Sequence, residues 1–235
     1  MTAWRLRRYA SLDSTSNLCL TLAEAGEPAH LAVLADRQTA PRGSRGRSWT
    51  TLPGNLALSV LLRPPCPPSC AGQWALLAAV ALAEGLEAAG APALRVKWPN
   101  DVLLDGRKLA GILLDSAVQG DRLAYLVIGF GANLAEAPDL PGVTKLPQPL
   151  PAATAADAVL HRIDHWAAVA LDRGFAPIRR AWLDRGPASG AGLRLRLPEG
   201  QVLGTFSGLS ETGALLLQSE GRVRAFATGD VLLGA

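Results

Sequence analysis

The chain has 235 residues, 49 % of them hydrophobic and 18 % charged. That is enough apolar material for one large core, or a medium core with a small companion, and it excludes a disordered or collagen-like chain. The net charge of +3 demands no polyanionic partner. Its distribution is uneven, however: between Asp36 and Glu84 stand five arginines (Arg37, Arg42, Arg45, Arg47 and Arg63) and no acidic residue. Positive charge focused in this way suits a small anion.

Neither of the apolar stretches Leu18–Leu22 and Trp74–Ala83 reaches the roughly 20 residues that span a bilayer. No apolar run with a small-residue cleavage site follows the N-terminus. Neither a membrane partner nor export is therefore expected. Three cysteines, an odd number, argue against a disulfide framework. Cys66 and Cys70 flank a proline-rich turn without the second ligand pair of a metal knuckle. The expectation is reduced thiols in the cytoplasm.

In chain order, Ser14-Thr-Ser-Asn17 supplies helix caps, and the helix they start should stop at Gly26. His30–Ala35 reads as a strand, followed by a loop from Arg37 to Gly54. Leu56, Leu58, Val60 and Leu62 alternate as in a half-buried strand. An alanine- and leucine-rich helix follows over 72–89. Leu94–Trp98 is a strand broken by Pro99. Val102–Leu104 and Lys108–Leu114 flank Asp105-Gly106, a tight-hairpin dipeptide. Leu123–Ile128 is a buried strand running into Gly129 and Gly131. A helix from Thr154 to Arg173 places Val159, Ile163, Trp166 and Ala170 on one face, and a shorter one covers Pro177–Arg185. After a linker over 186–192, short strands at 193–197, 202–209, 214–218 and 223–227 form a small antiparallel barrel or sandwich. The expected class is α+β, with a mixed sheet and helices over 1–186 and a separate β unit over 187–235.

Two segments carry chemistry. In Asp36-Arg-Gln-Thr-Ala-Pro-Arg-Gly-Ser-Arg-Gly-Arg-Ser-Trp49, four arginines share a loop with two glycines. Glycines let the backbone approach a ligand, arginine forks bind phosphate or carboxylate, and a terminal tryptophan offers a flat face to a purine. An RNA-binding Arg-Gly segment or a solvated loop fits this segment equally well. The second segment is Lys97-Trp-Pro-Asn-Asp101 with Gly106-Arg-Lys-Leu-Ala-Gly-Ile-Leu113. The chain has three lysines against twenty arginines, and Lys97 and Lys108 both fall here. Their retention points to roles that need a compact ammonium rather than a planar fork. Asn100-Asp101 would place a carboxylate suited to magnesium or a ribose hydroxyl, or would simply be a turn.

These two segments, with Ile128-Gly-Phe-Gly-Ala-Asn133 and the early Asp13-Ser-Thr-Ser-Asn17, resemble the motifs of biotin–protein ligases (biotin–acetyl-CoA-carboxylase ligases), in the family's order. The resemblance implies a catalytic fold similar to class II aminoacyl-tRNA synthetases and a C-terminal barrel like the Src-homology-3 kind. Its implied substrates are biotin and ATP with Mg2+, and its implied partner is a biotin carboxyl carrier protein. Biotin would be held by Ser14, Thr15, Ser16, Gln38, Arg42, Gly43 and Ser44, with the backbone at Gly111 near its acyl group. Arg45 and Arg47 would face the phosphates, Trp49 the adenine, and Asn100 and Asn133 the nucleotide. Lys108 would bridge the biotin carboxylate and the α-phosphate, aided by Arg42, while Asp101 would position the metal or the incoming lysine. Family members that repress transcription carry an N-terminal winged helix. This chain opens on the catalytic part, which implies a ligase without DNA binding, as a monomer or a homodimer.

The loop departs from the family pattern at Pro41, where glycine is usual, and at Ser44, where arginine is usual; Ser16 likewise stands where asparagine is common. A lipoate–protein ligase shares the adenylate logic, but the arginine loop with Lys97-Trp-Pro-Asn-Asp101 favours biotin. A nucleic-acid-binding module predicts more aromatics than the 5 % present. A metal site at His161-Arg-Ile-Asp-His165 would put both histidines off the apolar helix face, where a solvated surface suffices.

Overall fold

The computed structural model describes residues 3–47 and 49–232; the Arg45 side chain lies outside the described set. A seven-stranded sheet has the order β1-β2-β3-β7-β6-β5-β4. Its strands are β1 (Arg5–Tyr9), β2 (Leu31–Ala35), β3 (Leu56–Leu62), β4 (Arg95–Lys97), β5 (Asp101–Leu104), β6 (Arg107–Gln119) and β7 (Arg122–Ala132). Only β1 and β2 run parallel; every other neighbouring pair is antiparallel. The helices are α1 (Thr15–Glu24), α2 (Ala71–Ala88), α3 (Ala152–Arg173) and α4 (Ala176–Arg185). The α+β class expected from the sequence is the class observed.

Local chemistry sets the ends of these elements. The Ser14 hydroxyl accepts from the Asn17 N–H at 3.4 Å and caps α1, which ends before Gly26 at φ +86°. Asp105 and Gly106, at φ +49° and +74°, turn β5 into β6 with both central residues left-handed. Strand β7 runs through Gly129 and Gly131 instead of stopping at Ile128, pairing Gly131 with Gly111 of β6. Strand β1 was not anticipated: Arg5-Leu-Arg-Arg-Tyr9 has only one aliphatic residue. Its backbone is held by β2, and its arginines are paired with Glu27 and Asp36.

The sheet has cover on both faces, which corrects the half-buried reading of β3: all seven of its residues are buried. Leu31, Val33 and Leu61 pack with Cys19 and Ala23 of α1. Ala32, Leu34, Leu58 and Val60 join the main core with α2 and α3. Pro68–Ala88 is long and apolar enough to cross a membrane by composition, but its apolarity is used in this core, where eleven α2 residues are buried. Burial pushes the Cys19 thiol up to about 12.

A second sheet, of order β11-β10-β9-β8-β12, consists of β8 (Gly192–Leu197), β9 (Gly200–Leu209), β10 (Leu215–Ser219), β11 (Arg222–Phe226) and β12 (Asp230–Leu232). The last of these was not read from the sequence. The sheet shares the main core through Leu195, Phe206, Leu215 and Val231, around the fully buried Trp182 of α4. The Trp98 indole donates to the Gly213 carbonyl at 3.2 Å across the same boundary.

Helices α2 and α3 meet at Gly85, where an added Cβ would lie 2.8 Å from the Val159 Cα. Gly85→Ala gains about 1 kcal/mol of helix propensity, but the backbone it strikes cannot rotate away. A net loss of about 1–2 kcal/mol is expected, read as a lower Tm. An unchanged or raised Tm would show that the two helices can part without cost.

Candidate functional site

A cleft lies over the β7–β6 face of the large sheet. Its floor is made of glycines. A Cβ on Gly131 would strike the Trp49 ring at 2.6 Å, one on Gly129 the Ser16 hydroxyl at 2.5 Å, and one on Gly111 would crowd both Trp49 and Lys108. Alternate glycines on one strand leave room for other groups to approach the backbone.

Above Gly129 lies a small polar cluster. The Thr15 hydroxyl accepts from the Ser59 hydroxyl at 2.7 Å, and the Ser16 and Ser59 hydroxyls are 3.1 Å apart. Gln38 Oε1 accepts from the Thr15 N–H at 2.8 Å, while its amide nitrogen donates to the Thr51 hydroxyl at 3.0 Å. Two residues along β7, a distance of roughly 6.5 Å, the character changes to cationic. The Lys108 ammonium stands 5.6 Å from the centre of the Trp49 ring and 2.6 Å from Asp101 Oδ1. Leu113, Leu140 and Val143 supply apolar walls. The cleft thus fits a ligand with a hydrogen-bonding head, an apolar body and an anionic end.

Lys97 and Asp101 face each other across the β4–β5 hairpin, whose Trp98–Pro99 bond is cis. Asp101 Oδ2 receives the Lys97 ammonium at 2.8 Å, so both carboxylate oxygens are engaged by lysines. Burial alone would raise the Asp101 carboxyl, but Lys108 and then Lys97 outweigh it and hold the group below its ordinary value. The sequence reading has Asp101 positioning the metal or the incoming lysine; in the structure both of its oxygens face lysines, and it anchors Lys108.

Most of the other sequence-predicted residues are brought to this cleft. Arg42 makes a two-pronged ion pair with Asp115, at 3.1 and 3.2 Å, and also donates to Asn17. Gly43 and Ser44 line the cleft, and the Ser44 hydroxyl accepts from Arg47 at 3.2 Å within a short 3₁₀ turn, Ser44–Gly46. Arg47 reaches Asp230 of the small sheet at 3.2 Å. Trp49 lies on the glycine floor, its indole N–H buried without a hydrogen-bond partner. Asn100 donates to the Ile112 carbonyl at 2.6 Å, and Asn133 to the Thr144 carbonyl at 2.9 Å. The side chain of Arg45, placed at the phosphates from the sequence, lies outside the described residues.

Sequence reasoning missed Ser59, Asp115 and Asp230. Ser59 was detectable as the one polar residue in Leu56–Leu62; the two aspartates leave no local signal. Among the described residues no three His, Cys, Asp or Glu side chains cluster as a metal site, and His161 and His165 are exposed on α3. Three acidic groups beside the cleft, Asp101, Asp115 and Asp230, are each paired with lysine or arginine. Among the described residues these three carboxylates do not form a resident magnesium site.

With this geometry in place, comparison with known proteins identifies the kinship. Residues 9–133 match the model of the biotin/lipoate A/B protein ligase family, and residues 189–234 that of the biotin protein ligase C-terminal domain. A biotin–[acetyl-CoA-carboxylase] ligase from Paracoccus denitrificans is 37 % identical over 96 % of this chain and 99 % of its own. One from Mycobacterium tuberculosis is 34 % identical over 98 % and 90 %. The structure of a biotin protein ligase from Aquifex aeolicus in complex with biotin and ATP superposes with a TM-score of 0.82, at 27 % identity and 98 % coverage of both chains. The chain belongs to the biotin/lipoate A/B protein ligase family, and it carries that family's biotin protein ligase C-terminal domain.

Proposed function

We propose that this chain is an ATP-dependent biotin–protein ligase whose acceptor is a lysine of a biotin carboxyl carrier protein. One observation carries the reading: Lys108, anchored by Asp101, sits in the same cleft as Arg42 and Arg47 and two β7 residues from the Thr15–Ser16–Gln38 cluster. A ureido ring offers the donors and acceptors that such a cluster satisfies, an aliphatic tail fits the apolar walls, and a carboxylate then ends at Lys108. The Paracoccus and Mycobacterium relatives of the same length class are biotin ligases, and none of this favours lipoate or nucleic acid.

The chemistry follows from the anions involved. Biotin's carboxylate cannot acylate an amine directly, because the leaving group would be oxide or hydroxide. Its oxygen attacks the α-phosphorus of ATP, and the bond to the bridging oxygen breaks to release pyrophosphate. The amine of the carrier lysine then attacks the acyl carbon, loses its proton, and expels AMP. Both steps concentrate negative charge between carboxylate and phosphate, where Lys108 supplies a fixed ammonium that needs no reorganisation. Magnesium enters with ATP, as the MgATP substrate. We also place the reaction in the cytoplasm, where the three free thiols, Cys19, Cys66 and Cys70, stay reduced.

Incubation with biotin, MgATP and a carrier domain, followed by intact mass of the carrier, tests the reading. One biotinyl group on one carrier lysine is expected; an unmodified carrier, or lipoyl addition in its place, contradicts it. Within the site, Lys108→Ala should slow pyrophosphate release by about 100-fold or more while biotin still binds. Lys108→Arg should not restore it, because a planar fork cannot occupy the same point beside Asp101. Release near the wild-type rate in either variant would remove Lys108 from the chemistry. At Ser44, the hydrogen bond to Arg47 is solvent-exposed and worth little, whereas an added cation on phosphate is worth about 1.5–3 kcal/mol. Ser44→Arg should therefore hold biotinyl-AMP at least about tenfold longer and label bystander lysines less. Equal dissociation rates would show that another contact holds the intermediate.

A further inference from the structure

We propose that Asp230, on the small C-terminal sheet, is a positioning residue of the adenylation site; the proposal rests on the ligase reading above. Strand β12 carries this carboxylate to the boundary with the large sheet, where its side chain is 15 % exposed. One oxygen lies 3.2 Å from the Arg47 guanidinium and the other 3.7 Å from the Lys97 ammonium. The next residue, Val231, accepts from Lys97 at 2.9 Å through its backbone carbonyl. A continuous line of charges therefore runs from Lys108 through Asp101, Lys97 and Asp230 to Arg47. Its ends line the cleft, and one of its links belongs to the small sheet.

The reason such a line positions the chemistry is electrostatic competition. Lys97 and Lys108 share one carboxylate, Asp101, in a site where Lys97 is 10 % and Asp101 6 % exposed. An ammonium so buried needs a full shell of acceptors. Asp230 and the Val231 carbonyl supply part of that shell for Lys97, leaving Asp101 Oδ1 to Lys108. With the Asp230 charge removed, Lys97 draws harder on Asp101, and Lys108 loses the anchor that aims it. Arg47 loses its tether to the cleft at the same time. The Thr15–Gln38 cluster, to which the ligase reading assigns the ureido ring, involves none of these groups.

The test compares wild type, D230N and D230E as full-length proteins by three readouts: biotin Kd, biotin-dependent pyrophosphate release as a function of ATP, and Tm. For D230N, biotin Kd should stay within about twofold and kcat/KM for ATP should fall about tenfold, with Tm little changed. D230E, which keeps the charge, should recover part of the loss. Should D230N not fold, D230S removes the same charge with a smaller side chain and should give the same split between biotin and ATP. Wild-type ATP kinetics in D230N would overturn the proposal. So would equal losses in biotin affinity, ATP kinetics and Tm that D230E does not relieve, because those mark a merely structural contact. Wild-type protein that releases no pyrophosphate with biotin would instead sink the ligase reading, and the proposal with it.

Discussion

A single buried carboxylate holds two of the chain's three lysines, and the active cleft is organised around it. Asp101 could not stay ionised at 6 % exposure without Lys97 and Lys108, and Lys108 takes its fixed position from Asp101. The sign of the coupling follows from the lowered pKa. The stabilisation is fully present above the ordinary carboxylate range and is lost only as pH falls through the depressed value. Lys108 therefore keeps its anchor throughout the neutral range, where a carboxylate and a triphosphate must be brought together.

The rest of the fold serves that constraint by making space and excluding water. Most of the large sheet is covered on both faces, and the glycines Gly129, Gly131 and Gly111 leave its backbone open to the cleft. Trp49 uses that opening, and its ring forms a wall beside Lys108. The small sheet is continuous with the main core and hydrogen-bonded across the boundary through Trp98 and Lys97. It is thereby positioned to act on the cleft through Asp230.

Much of this was legible in the sequence, for identifiable reasons. Caps, turn dipeptides and apolar periodicity located α1, α2, α3 and the Asp105-Gly106 hairpin, because those signals are local. The rarity of lysine singled out Lys97 and Lys108 without any structure. What failed was non-local. The pairing of Asp101 with two lysines was not legible because it is set by hairpin register, which no spacing rule reports. Asp115 and Asp230 were invisible because they meet arginines 73 and 183 residues away in the chain. Strand β1 was missed because its arginines hide an edge strand that backbone pairing alone defines.

The scarcity of lysine also supplies the most direct test of the central claim. Lysine labelled with 13C at Cε gives three side-chain signals, from Lys97, Lys108 and Lys145, assignable by single substitution. Lys145 pairs with Glu136 at the surface and serves as the internal reference. The account predicts that Asp101→Asn moves the Lys97 and Lys108 signals together and leaves Lys145 still. It also predicts that biotin with a non-hydrolysable ATP analogue shifts Lys108 far more than Lys145 in the wild type. A Lys108 signal indifferent both to Asp101→Asn and to the two ligands would contradict it.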